Sequence, residues 1–100
     1  MEKENKEQTA IREVREETGI EAKIIKALTP VTYWFKLERE LIKKTVHYFL
    51  MEYVGGDITK HDHEMENVEW LPTDKIEERL TYKSDKKVWQ EALKILNFKF

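Results

Sequence analysis

The stretch Arg12–Ile20, REVREETGI, constrains this chain more than any other. At about 100° per residue along a helix, Glu13, Glu16 and Glu17 fall within an arc of about 100°. Ala10, Ile11, Val14 and Thr18 occupy the adjoining arc, the natural core face. Like charges three and four residues apart repel, at a cost of roughly a few tenths of a kcal/mol per pair. Three carboxylates beside a core face therefore call for a compensating cation. Hard oxygen donors of this kind suit Mg²⁺ or Mn²⁺, which keep several waters and share them with phosphate oxygens. Arg12 and Arg15 flank the patch and can orient a carboxylate through bidentate hydrogen bonds. A solvated, charged helix face fits the same spacing, so the spacing alone leaves both readings open.

The rest of the chain alternates in type. Good helix formers from about Glu4 to Thr18, with Gly19 behind them, predict a helix closed by a glycine cap. Ile20–Leu28 and the aromatic, β-branched run Val31–Leu37 predict strands, and Glu38–Lys44 predicts a charged connection. Thr45–Val54, ended by Gly55-Gly56-Asp57, predicts a strand that pairs with Val31–Leu37 as an antiparallel hairpin with a long loop. Val68–Leu71 predicts a short strand stopped by Pro72. Thr73 can cap a short helix through about Leu80, and Lys83 or Ser84 starts a final helix with Trp89, Ala92, Leu93 and Leu96 as its apolar stripe. The expected class is α/β (α+β), in one domain over residues 1–100.

Composition excludes several functions. Of 100 residues, 18 are Lys or Arg and 20 are Asp or Glu, and this small acidic excess argues against general nucleic-acid binding. Without a cysteine there is no disulfide, thiolate metal site or thiol nucleophile. No apolar run approaches the roughly 20 residues needed to span a bilayer, and MEKENKEQ carries no signal-peptide h-region. A highly charged, unstapled chain of this kind is expected in the cytoplasm.

The string resembles the Nudix hydrolase signature, G-x5-E-x7-R-E-U-x-E-E-x-G-U, where U is a bulky aliphatic residue. Glu4, Arg12, Glu13, Val14, Glu16, Glu17, Gly19 and Ile20 meet its specified positions in order. The hairpin, the VEWLP segment and the last helix also look like the C-terminal part of small Nudix proteins. The signature's first glycine would precede Met1, so the resemblance implies an N-terminally truncated α/β/α sandwich around a mixed sheet. It also implies a divalent ion, Mg²⁺ or Mn²⁺, held mainly by Glu16 and Glu17. Glu13 would serve as ligand or base, Arg12 would hold the glutamates, and Glu4 would contribute to the metal site or stabilise the signature.

The reaction so implied is attack of water on phosphorus in a nucleoside diphosphate linked to a group X, a dinucleoside polyphosphate being one candidate. His63-Glu64-Met65-Glu66 is similar to a His-Glu pair in dinucleoside-polyphosphate-cleaving members. That likeness makes Glu64 an additional ligand or general base, with Glu66 next; a plain hydrophilic loop is the alternative. Tyr33, Trp34, Phe49 and Tyr82 are candidates for stacking on a base, and Lys43, Lys44, Lys83, Lys86 and Lys87 for meeting polyphosphate. The competing expectation is a catalytically weak Nudix-like module that binds metal or nucleotide. Unpaired strand edges would drive either form to a homo-oligomer.

Overall fold

The computed structural model describes the backbone of residues 3–60 and 67–99, and side chains through Asn97. Helix α1 runs Lys6–Thr18 and starts on a reciprocal cap: Gln8 N–H donates to Asn5 Oδ1 at 2.8 Å, and Asn5 N–H to Gln8 Oε1 at 3.0 Å. Four strands follow: β1 (Ile20–Ala27), β2 (Val31–Leu37), β3 (Glu40–Val46) and β4 (Phe49–Gly56). A 3₁₀ turn over Ile58–Lys60, helix α2 (Thr73–Arg79) and helix α3 (Lys83–Lys99) complete the described elements. The mixed α/β class expected from the sequence is the one observed.

The strand pairing differs from the expectation. Among the described residues there are two antiparallel ladders, β1 with β4 and β2 with β3, rather than one mixed sheet. Val31–Leu37 pairs with Glu40–Val46, through Val31↔Val46 to Leu37↔Glu40, so most of the supposed charged connection is strand. The reversal occurs at Glu38 and Arg39, whose φ angles of 49° and 74° are both left-handed. Glycine or asparagine normally announces such a two-residue turn, and neither is present to signal it. The predicted strand Thr45–Val54 breaks at His47-Tyr48: its start belongs to the hairpin, while β4 returns to β1 in the register Ile20↔Gly56 to Ala27↔Phe49. Val68–Leu71 is not a strand. Thr73 is the first residue of α2 and caps nothing; Pro72 occupies the cap position with no side-chain bond.

The β1–β4 ladder has a helix on each side. Met51 and Tyr53 face the α1 side, and Leu50 packs with the α3 cluster of Leu28, Val88 and Ala92. The α3 stripe is thus Val88–Ala92–Ile95 with Trp89 beside it: Trp89 and Ala92 are as expected, while Val88 and Ile95 stand in place of Leu93 and Leu96. Glu91 ties α3 to the β1–β2 connection by accepting from Thr29 N–H at 3.1 Å and Thr29 Oγ1 at 3.1 Å. Gln90 donates to Glu77 Oε1 on α2 at 2.6 Å. Among the described residues the core is small: Ile20, Leu28, Val88 and Ala92 are its buried apolar residues, and the α1 core face is only half-buried.

Candidate functional site

The junction behind α1 positions the carboxylates. Thr18 Oγ1 donates to the Val14 carbonyl at 2.6 Å and accepts from Ile20 N–H at 3.1 Å, which carries the helix end directly into β1. Gly19 adopts φ 80°, and its N–H donates to the Arg15 carbonyl at 2.9 Å. A Cβ at Gly19 would strike the Asp57 carbonyl, and one at Gly56 (φ 91°) would strike the Gly19 carbonyl. Asp57 N–H donates to that Gly19 carbonyl at 3.1 Å. Two residues without Cβ let the ends of α1 and β4 approach closer than side chains permit. Asp57 also accepts from Thr59 N–H at 2.9 Å, which lowers its carboxyl pKa below the ordinary value.

From this anchored end the carboxylates diverge. Glu13 and Glu17, one turn apart, line a cleft of about 480 Å³ whose other walls include Ala22, Met51, Tyr53, Glu69 and Trp70. Glu16 belongs to a different constellation. Both its oxygens accept from Arg12 Nη1, at 3.1 and 2.9 Å, and both oxygens of Glu4 accept from Arg12 Nε, at 2.9 and 3.0 Å. The hydrogen bonds to Glu4, then those to Glu16, raise the guanidinium pKa still further above its ordinary value. Exposed ion pairs of this kind stabilise little; what the bridge does is orient two carboxylates.

Among the described residues no three His, Asp or Glu side chains stand ready-grouped around a metal position. The donor set nevertheless fits a hard, water-rich divalent ion: Glu13 and Glu17 face one solvent-open cleft. A carboxylate has about four lone-pair directions, so Glu16 keeps accepting capacity beyond its Arg12 bonds. His61, His63, Glu64 and Glu66 lie outside the described residues.

A second cavity, of about 580 Å³, lies between the base of the β2–β3 hairpin and the start of α3. It brings together Tyr33, Tyr48, Tyr82, Ser84 and Asp85. Trp34 does not line it: alternation sends its side chain to the other face of β2, where Lys43 Nζ lies 5.9 Å from the ring. Tyr48 lines both spaces; Phe49 lines the carboxylate cleft. The Tyr48 hydroxyl donates to Asp85 Oδ1 at 2.7 Å, and this bond, aided by burial, pushes its pKa up to about 12.

A phenol whose folded pKa is raised stabilises the fold fully below its unfolded pKa of about 10, and that contribution is lost as pH rises through about 12. Tyr48→Phe should therefore be less stable than the parent by roughly 1–2 kcal/mol up to about pH 10. The gap should close between about pH 10 and about 12, as followed by thermal midpoints across that range. A gap that persists at pH 12 would show that the hydrogen bond is not its source.

Sequence reasoning overlooked Tyr48, Tyr53, Glu69, Trp70 and Asp85. Period-two alternation from Phe49 was available to put Met51 and Tyr53 on the α1 face. Nothing local brings residues 69–70 back to that face.

The sequence model of the NUDIX domain matches residues 1–92. The chain belongs to the Nudix family. A protein of Mycobacterium tuberculosis (strain CDC 1551 / Oshkosh), named as mutator protein MutT4, is 38% identical over 94 residues, covering 94% of this chain and 38% of its own length. A protein of Mycolicibacterium smegmatis (strain ATCC 700084 / mc(2)155), named 8-oxo-(d)GTP phosphatase, is 35% identical over 85 residues, covering 85% of this chain and 25% of its own length. The chain thus spans well under half of either relative. In Nudix terms α1 is the signature helix, and Gly19 is the signature glycine.

Proposed function

We propose that this Nudix chain carries a metal-dependent pyrophosphohydrolase site for a nucleoside diphosphate linked to a further group X. One observation carries the reading: Glu13 and Glu17 share a solvent-open cleft while Arg12 holds Glu16 and Glu4 along another side of α1. Glu13, Glu16 and Glu17 are the residues that would hold Mg²⁺ or Mn²⁺. Such an ion neutralises phosphate charge and makes bound water more acidic. Glu13 accepts a proton from water as the water oxygen bonds to phosphorus; the P–O anhydride bond breaks, and the leaving phosphate departs with its electron pair. Arg12 limits where Glu16 can swing.

The tyrosine cavity takes the nucleobase. Tyr33 and Tyr82 offer ring faces at its rim, 42% and 68% exposed, and Asp85 Oδ2 is available to a ring N–H beyond the Oδ1 bond from Tyr48. No described helix is long and apolar enough to cross a membrane; the charged, cysteine-free composition supports a cytoplasmic setting. The test is cleavage of a panel of dinucleoside polyphosphates, ADP-ribose, nucleoside triphosphates and 8-oxo-dGTP with Mg²⁺ or Mn²⁺ and with chelator. Metal-dependent turnover of any member supports the hydrolase, and a folded protein that cleaves none of them removes it.

One observation favours the alternative of a self-associating module of low activity. Trp34, Leu37 and Leu41 on the β2–β3 hairpin are 58%, 57% and 61% exposed, and among the described residues each hairpin strand has one paired edge. Self-association is expected in light scattering, with Leu41→Lys shifting the population toward monomer. A parent chain that stays monomeric at every concentration would contradict it.

A further inference from the structure

We propose that Tyr53 and Trp70 form a second planar-ring subsite, one that stacks a purine carried on the X side of the substrate. The proposal rests on the hydrolase reading for the direction of the substrate. Both side chains line the cleft that holds Glu13 and Glu17, yet Tyr53 is 53% and Trp70 62% exposed. Two large rings left open beside a cleft, rather than scattered singly, mark a surface that something covers.

The pair is also braced. The Tyr53 hydroxyl donates to the Gly56 carbonyl at 3.0 Å, within the junction that anchors the end of α1. Trp70 meets Tyr53 at 5.6 Å between centroids and 82° between planes. A perpendicular contact uses few of the available ring faces and leaves the others to a ligand. Glu69 next to Trp70 accepts from Arg79 Nη2 at 2.7 Å, which ties the segment to α2. The flanking charges, Glu13, Glu17 and Glu69, repel a bare polyphosphate, so the ring approaches as part of a cation-bound nucleotide. Tyr48 borders both this cleft and the tyrosine cavity, so the two spaces adjoin. Two planar subsites therefore flank one carboxylate cleft, an arrangement matched by two bases joined through a phosphate chain.

The experiment has two readouts. Tryptophan fluorescence is titrated with diadenosine tetraphosphate in the presence of Mg²⁺ and read before turnover; quenching is expected in the parent and in Trp34→Phe and should be largely lost in Trp70→Phe. Steady-state kinetics with metal should show the KM of Trp70→Ala for diadenosine tetraphosphate raised roughly 5- to 100-fold, the range expected for one stacked base. KM for ATP should stay unchanged, and Trp70→Phe should recover most of the loss. Quenching that persists in Trp70→Phe, or equal KM increases for both substrates, overturns the subsite. Turnover of ATP with no effect of Trp70→Ala overturns the subsite and leaves the hydrolase reading standing. Trp70-dependent quenching in a protein that cleaves nothing does the reverse.

Discussion

Glu17→Gln is expected to lower metal-dependent hydrolysis by about a hundredfold to a thousandfold, the scale seen when one preorganised charge partner of a transition state is removed. The substitution keeps shape and hydrogen-bonding capacity and deletes only the negative charge. Glu17 is exposed, so stability should change by no more than about 0.5 kcal/mol. For a domain of this size that is a shift of about 2–4 °C in thermal midpoint. Glu7→Gln, in the first turn of the same helix, supplies the control: it should leave turnover and midpoint alike. Rates are measured at saturating Mg²⁺ and Mn²⁺ beside circular dichroism melts. Retained turnover in a folded Glu17→Gln variant would remove the main support for the site.

The largest stability effect is expected at Gly19. An alanine there must adopt φ 80°, costing about 1–2 kcal/mol for the left-handed backbone alone. Its Cβ would also strike the Asp57 carbonyl and approach Lys60. That obstacle is largely backbone, which cannot swing away as a flexible side chain would. A total loss of about 2–4 kcal/mol follows, or a midpoint lower by on the order of 10–20 °C. Gly55 is the matched comparison, since a Cβ there meets nothing within 4 Å. Gly55→Ala should change stability by less than about 0.5 kcal/mol. Equal losses at the two glycines would mean that general strand disruption, not the close approach of α1 to β4, is what the substitutions report.

Legibility differed sharply between elements. Helix α1 and its cap were readable because the information is local: a 3.6-residue period, good helix formers and a glycine where the left-handed turn falls. The Asn5–Gln8 cap was equally local and simply went unread. The β2–β3 hairpin was misread because Glu38 and Arg39 take left-handed angles without the residues that usually announce them. The apolar stripe on α3 keeps Trp89 and Ala92 but takes Val88 and Ile95 in place of Leu93 and Leu96, because these four aliphatic residues are alike in hydrophobicity. Which of them turns inward depends on where Leu28 and Leu50 stand.

By itself the sequence determined the carboxylate helix, its arginine and its closing glycine, and with them membership in the family, because these features depend on spacing within twenty residues. Tertiary structure decided how the carboxylates divide. Glu13 and Glu17 go to the cleft and Glu16 to Arg12, because β1 and β4 lie on one side of α1 while Glu4 folds back along another. It also decided which aromatics share a site. Tyr33 lines one cavity with Tyr48 and Tyr82 while Trp34 is left outside, and Trp70 reaches Tyr53 from seventeen residues away in the chain. Such meetings depend on strand register and chain reversal, which residue identity specifies only through the packing of the whole fold.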